Sequence, residues 1–174
     1  MQTKPLSYLF IGSIFVSIMS MNCQVLAEDF AARSPTEDEV IQALDPPKMR
    51  GIRPGAAAKA MARPSISMEL QFDFNSSAVS PTDEERLNTV AQALNADRLS
   101  IKIFEVIGHT DAKGSSQYNK RLSERRAAAV VGYLVKQGVN ENRLMIVGKG
   151  ESELKNKADS EAAENRRVEI AVAR

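Results

Sequence analysis

The sequence predicts an α+β fold, α/β-like in its βαβαββ order: a small mixed four-stranded sheet with helices on one face. Three observations predict it. Ile66, Met68, Leu70, Phe72 and Phe74 alternate with Ser67, Glu69, Gln71 and Asp73, the period of two of a strand with one dry and one wet face. Ser80-Pro81-Thr82-Asp83 opens a stretch in which Leu87, Val90, Ala91 and Leu94 fall at helical spacing. A longer helical stretch from about Gln117 to Lys136 stops at Gly138, a natural left-handed cap, and apolar runs flank it on both sides.

Taken in order, the chain starts with an export signal over residues 1–27. Lys4 supplies the positive end, Leu6 to Met21 is apolar, and Val25-Leu26-Ala27 offers small residues for cleavage, so the mature chain is expected to begin at Glu28. A retained spanning helix is the rival reading. It needs about 20 apolar residues, and Ser7, Ser13, Ser17 and Ser20 interrupt this shorter run. A lipidated Cys23 is the other rival, although Ser20-Met21-Asn22 lacks the leucine and the small residue that precede such a cysteine.

A short helix is expected within residues 28–45: Ser34 as N-cap, Pro35 in the first turn, and Val40, Ile41 and Leu44 on one face. Residues 46–64 are rich in Pro, Gly and Ala without periodicity and read as a basic tether, a solvated linker or a polybasic contact. Residues 28–64 are also too few for a transmembrane barrel, which takes at least eight strands of about 9–11 residues. Beyond the first strand and helix, Leu99 to Ile107 is apolar on both sides and reads as a central strand that Gly108-His109-Thr110-Asp111 ends in a loop. Leu144 to Val147 and Val168 to Val172 complete the sheet, with a polar loop from Lys149 to Asn165.

Composition limits the chemistry. A net charge of +1 with 43% hydrophobic residues provides no basic arm for nucleic acid. Cys23 is the single cysteine, so the expected mature chain has no thiol for a disulfide, a metal or a nucleophile. His109 is the single histidine; with no nucleophile elbow near Thr110, Ser115 or Ser116, it reads as a hydrogen-bonded, loop-ordering residue. Gly148-Lys149-Gly150 lacks phosphate-loop spacing and reads as a turn. Neither a cofactor nor a metal is expected.

The informative position is Arg126. At about 100° per residue, Asn119, Leu122, Ala129, Val130 and Tyr133 lie within about 60° of it, which places a cation in the stripe that faces the core. Arg121, Glu124 and Arg125 point away. A buried guanidinium costs several kcal/mol unless paired, so an anion belongs near Arg126. Asp111, in the loop between the central strand and this helix, is a candidate partner close to the helix N-terminal end. The two form either an internal salt bridge or a clamp for a zwitterion, Arg126 holding a carboxylate and Asp111 an ammonium. Spacing leaves both open.

Four blocks then carry a resemblance: Phe72-Asp73-Phe74-Asn75; Gly108-His109-Thr110-Asp111-Ala112-Lys113-Gly114; Asn119-Lys120-Arg121-Leu122-Ser123-Glu124-Arg125-Arg126-Ala127; and Asn165-Arg166-Arg167-Val168-Glu169-Ile170. In order and spacing they resemble the OmpA-like C-terminal domain family, over residues 65–174. The resemblance implies a non-catalytic domain that binds the diaminopimelate of peptidoglycan stem peptides through Asp111 and Arg126, in the periplasm or at the outer membrane. It favours the clamp. Thr110, Asn119, Leu122, Phe74, Asn75 and Arg166 are its expected flanking residues. Asn119 could equally hold the loop, and Arg166 could equally pair with an internal acid. The domain is thereby expected to tether a cell-envelope component to the wall, with an outer-membrane or other envelope protein as a further partner through the N-terminal segment; a Pal-like or stator-like membrane- or lipid-anchored version and a cell-wall hydrolase are the alternatives.

Overall fold

The computed structural model describes residues 28–30, 33–46, 63–70, 72, 77 and 79–173. The expected signal, nearly all of the tether, Phe74 and Asn75 lie outside the described residues. The elements are β1 (Glu28–Asp29), α1 (Glu37–Leu44), β2 (Ser65–Glu69), α2 (Pro81–Asn95), β3 (Phe104–His109), α3 (Ser116–Lys136), β4 (Leu144–Gly150) and β5 (Arg167–Val172). The sheet runs β1-β2-β5-β3-β4. Strands β2, β3, β4 and β5 form the expected mixed four-stranded sheet, and the two-residue β1 adds a parallel edge beside β2.

One face of the sheet makes the core. Ile66, Ile170 and Val106 lie in one register row, with Phe104, Met68 and Val168 in neighbouring rows. All six share a buried cluster with Leu87, Val90 and Leu94 of α2 and Ala127, Val130 and Leu134 of α3. Each of these side chains larger than alanine contributes about 1.5–3 kcal/mol on removal from water. The opposite face carries the Ser67, Glu169, Ile107 row.

Residues ahead of the family-like blocks join this core. Phe30, Val40, Ile41 and Leu44 belong to the same cluster, and the Phe30 amide donates to the Ser67 carbonyl at 2.8 Å. Buried Arg86 ties the segment down by donating to the carbonyls of Phe30, Glu69 and Arg33, with Asp83 at 3.4 Å. The N-cap of α1 is Thr36 rather than Ser34: Thr36 and Glu39 form a reciprocal capping box, which sets the helix two residues later. Ser80 caps α2 with Pro81 in its first turn, as its sequence signature requires.

Four expectations need correction. The expected wet face of β2 is only partly wet: Ser67 is 8% exposed and Glu69 is half-buried. The strand expected from Leu99 starts only at Phe104. Residues 97–101 instead form turns in which Leu99 plugs the core, Ile101 is 91% exposed, and Arg143 caps the carbonyls of Leu94, Leu99 and Lys102. His109 ends β3 and does not lie in the loop. Gly148-Lys149-Gly150 is the end of β4 rather than a turn. The glycines there answer to packing: a Cβ on Gly108 would lie 2.1 Å from the Ser123 carbonyl oxygen, and one on its register partner Gly148 would lie 2.4 Å from Glu124 Cγ. Helix α3 therefore rests directly on the backbones of β3 and β4.

Candidate ligand-binding site

That close seat of α3 fixes the geometry at its N-terminal end. The Thr110 amide donates to the Gly150 carbonyl and the Ala112 amide to the Ser160 carbonyl, both at 2.9 Å, so the β3–α3 loop is strung between β4 and the loop before β5. Ser115 caps α3 by accepting from the Tyr118 amide at 3.3 Å. The Glu151 carboxylate accepts from the Ser116 hydroxyl and the Asn119 amide group, which together hold its pKa below the usual range. Asn119 also donates to the Asp111 carbonyl at 3.3 Å. It thus takes up the loop-holding role. On the β5 side, buried Asn165 donates to the carbonyls of Asn156, Asp159 and Ser160, setting the position of its neighbour Arg166.

These elements surround a cavity of about 670 Å³. Thr110, Asp111, Asn119, Leu122, Arg126 and Arg166 line it. The structure thereby brings together six of the expected site residues. Phe72, Lys113, Gly114, Ser115 and Tyr118 complete the wall, and the sequence reading did not single these out. Their signal was position: four of the five fall between Asp111 and the first turns of α3, and Phe72 belongs to the first family-like block.

Arg126 is 6% exposed, as the helical wheel requires. Its guanidinium carbon stands 4.8 Å from the centroid of the Phe72 ring, a cation–π contact. Its Nε is buried without a hydrogen bond, and among the described residues nothing forms an ion pair with it. Burial lowers its pKa; the charge of Asp111 opposes that and the charge of Arg166 reinforces it. The internal Arg126–Asp111 salt bridge, one of the two readings that spacing left open, does not form here. Asp111 Oδ2 instead accepts from Arg166 Nη1 at 3.0 Å, and Oδ1 accepts from the Lys113 amide at 3.3 Å. The physical reason is placement: the loop held by Asn165 brings Arg166 within 3.0 Å of Asp111, whereas the Arg126 guanidinium stands against the Phe72 ring.

His109 is 1% exposed and does not line the cavity. The hydrogen-bonded role expected for it is corrected as well. Among the described residues neither ring nitrogen has a hydrogen-bond partner, and Glu169 Oε2 lies 3.7 Å from Nε2. Among the described residues no cluster of His, Cys, Asp and Glu could hold a metal ion, and no helix is long and apolar enough to cross a membrane.

The model of the OmpA family matches residues 71–168, a span that holds Asp111, Arg126 and Arg166. The chain belongs to the OmpA family. Among its OmpA-family relatives, outer membrane protein A of Bordetella avium is 38% identical over 117 residues, covering 66% of this chain and 59% of that protein. Outer membrane porin F of Pseudomonas fluorescens is 38% identical over 109 residues, covering 62% of this chain and 33% of the porin. The chain thus spans less than two thirds of either relative's length. Of solved structures, the peptidoglycan-associated lipoprotein from Burkholderia pseudomallei superimposes with a TM-score of 0.52 at 28% identity, covering 64% of this chain and 91% of that one. The superposition agrees with the α+β arrangement of sheet and helices described above.

Proposed function

We propose that this protein is a non-catalytic anchor that holds a cell-envelope component to peptidoglycan by binding the diaminopimelate end of a stem peptide in the cavity beside α3. The observation that carries the reading is Arg126: a buried guanidinium with no acid paired to it among the described residues, opening onto a cavity large enough for a drug-sized ligand. A carboxylate from outside supplies the missing partner through charge-assisted hydrogen bonds. Asp111, also on the cavity wall, takes the ammonium carried on the same carbon. The similarity to the peptidoglycan-associated lipoprotein from Burkholderia pseudomallei supports the sacculus as the source of that ligand. In the same reading residues 1–27 direct export and the domain works in the periplasm, without turnover of the wall.

The test is a pull-down of the purified protein with sacculi whose stem peptides carry diaminopimelate, against sacculi that carry lysine there. Lysine lacks the carboxylate that would meet Arg126. Retention by the first and not by the second is expected; equal retention by both, or release of soluble muropeptides, would overturn the proposal.

A further inference from the structure

Among the described residues, the charge that lines the cavity exceeds what one zwitterion can neutralise. Lys113, Arg126 and Arg166 line it against the single carboxylate of Asp111, an excess of two positive charges among the described residues. A neighbouring cavity of about 190 Å³ shares Arg126 and Arg166 and adds Glu69, and even with that acid counted the excess is positive. The ammonium and carboxylate at the free end of diaminopimelate have no net charge, so their arrival leaves the excess standing. Solvent does little to relieve it at Arg126, which burial already disfavours as a cation.

Arg166 is placed to use the remainder. Its Nη1 holds Asp111 at 3.0 Å and reaches the Glu161 carbonyl at 3.5 Å, while its Nη2 and Nε have no partner among the described residues. Its side chain is 42% exposed at the cavity wall. A carboxylate offers about four lone-pair sites, so Asp111 can keep Arg166 and still accept from an ammonium. Arg166 then presents a fixed guanidinium edge to a second anion.

Resting on the function proposed above, we infer that Arg166 reads a second carboxylate of the stem peptide, the free α-carboxylate of the glutamate joined through its side chain to diaminopimelate. Lys113, at the cavity mouth, adds a field of the same sign. The domain therefore discriminates stem peptides with that carboxylate free from those in which it is amidated.

The experiment measures, by calorimetry, binding of two soluble stem tetrapeptides that both contain diaminopimelate and differ only in whether the glutamate α-carboxyl is free or amidated. The wild-type protein is expected to bind the free acid on the order of tenfold tighter, the effect of one charge-assisted hydrogen bond. Arg166→Gln is expected to bring the ratio close to one. Equal affinities in the wild type would overturn this inference while leaving the proposed function intact, and a ratio undiminished in a folded Arg166→Gln protein would overturn the role of Arg166. Failure of the wild type to bind either peptide would overturn the proposed function itself. The wild-type comparison needs no variant, so it decides even if Arg166→Gln does not fold.

Discussion

Arg166 Nη1 lies 3.0 Å from Asp111 Oδ2, and this cross-loop pair, rather than one between Asp111 and Arg126, joins the β3–α3 loop to the start of β5. Because the Arg166 side chain is 42% exposed, solvent screens the pair. Arg166→Ala should therefore lower stability by no more than about 1 kcal/mol, measured by urea unfolding without ligand. A loss several times larger would mean that the pair is a structural keystone.

The contact of α3 with the sheet makes a sharper demand. A methyl group on Gly108 would sit 2.1 Å from the Ser123 carbonyl oxygen, a backbone atom that cannot move aside alone. Gly108→Ala should cost about 3 kcal/mol by overpacking, a fall of roughly 10 °C in Tm. Since the cavity is built where α3 begins, ligand binding should weaken as well. An unchanged Tm would show that helix and strand are not seated this closely.

Arg86 fastens the N-terminal segment to α2 through the carbonyls of Phe30 and Arg33. Arg86→Ala leaves those carbonyls and that of Glu69 without their donor, which typically costs about 1–3 kcal/mol. Hydrogen exchange should show it most plainly at the Phe30 amide, which donates to Ser67 in the intact protein. Protection of that amide equal to wild type would contradict the assignment.

Acid should loosen α1 through a definite group. Arg33's guanidinium and the Thr36 backbone hold the Glu39 carboxyl down from its ordinary 4.5 to about 2. A depressed folded-state pKa gives stability that is present above the unfolded value and is lost as pH falls through the folded one. Wild-type Tm should thus decline between about pH 4.5 and 2, and Glu39→Gln, which cannot ionise, should show a shallower decline that meets the wild-type curve near pH 2. Parallel curves across that range would refute this contribution.

How much of this was legible in the sequence depends on the range of the interaction that decides it. The helical period alone placed Arg126 on the inward face of α3, because the wheel is local. It also placed Ser80 at the start of α2, because capping is local. The partner of Asp111 was not legible: Arg166 is 55 residues away, and its approach depends on how Asn165 folds the preceding loop. The docking of Phe30 and α1 was likewise hidden, since their apolar pattern fits an independent helix as well as a docked one. Leu99 to Ile103 misled because an apolar run is also what a core-plugging turn with an exposed isoleucine looks like.

The most direct measurement pairs thermal unfolding with sacculus binding for Arg126→Met. Arg126 is buried, its Nε is without a hydrogen bond, and burial already disfavours its charge. An apolar chain of similar length in its place should leave Tm unchanged or raise it, since replacing a buried charge by a well-packed hydrophobe is often neutral or stabilising. The same change removes the group that meets the ligand carboxylate, which typically costs about 2–5 kcal/mol in affinity, or roughly 30-fold and more. A folded Arg126→Met protein that no longer binds diaminopimelate-containing sacculi is the expected result; one that binds them at wild-type strength would contradict the assignment of Arg126 to the ligand.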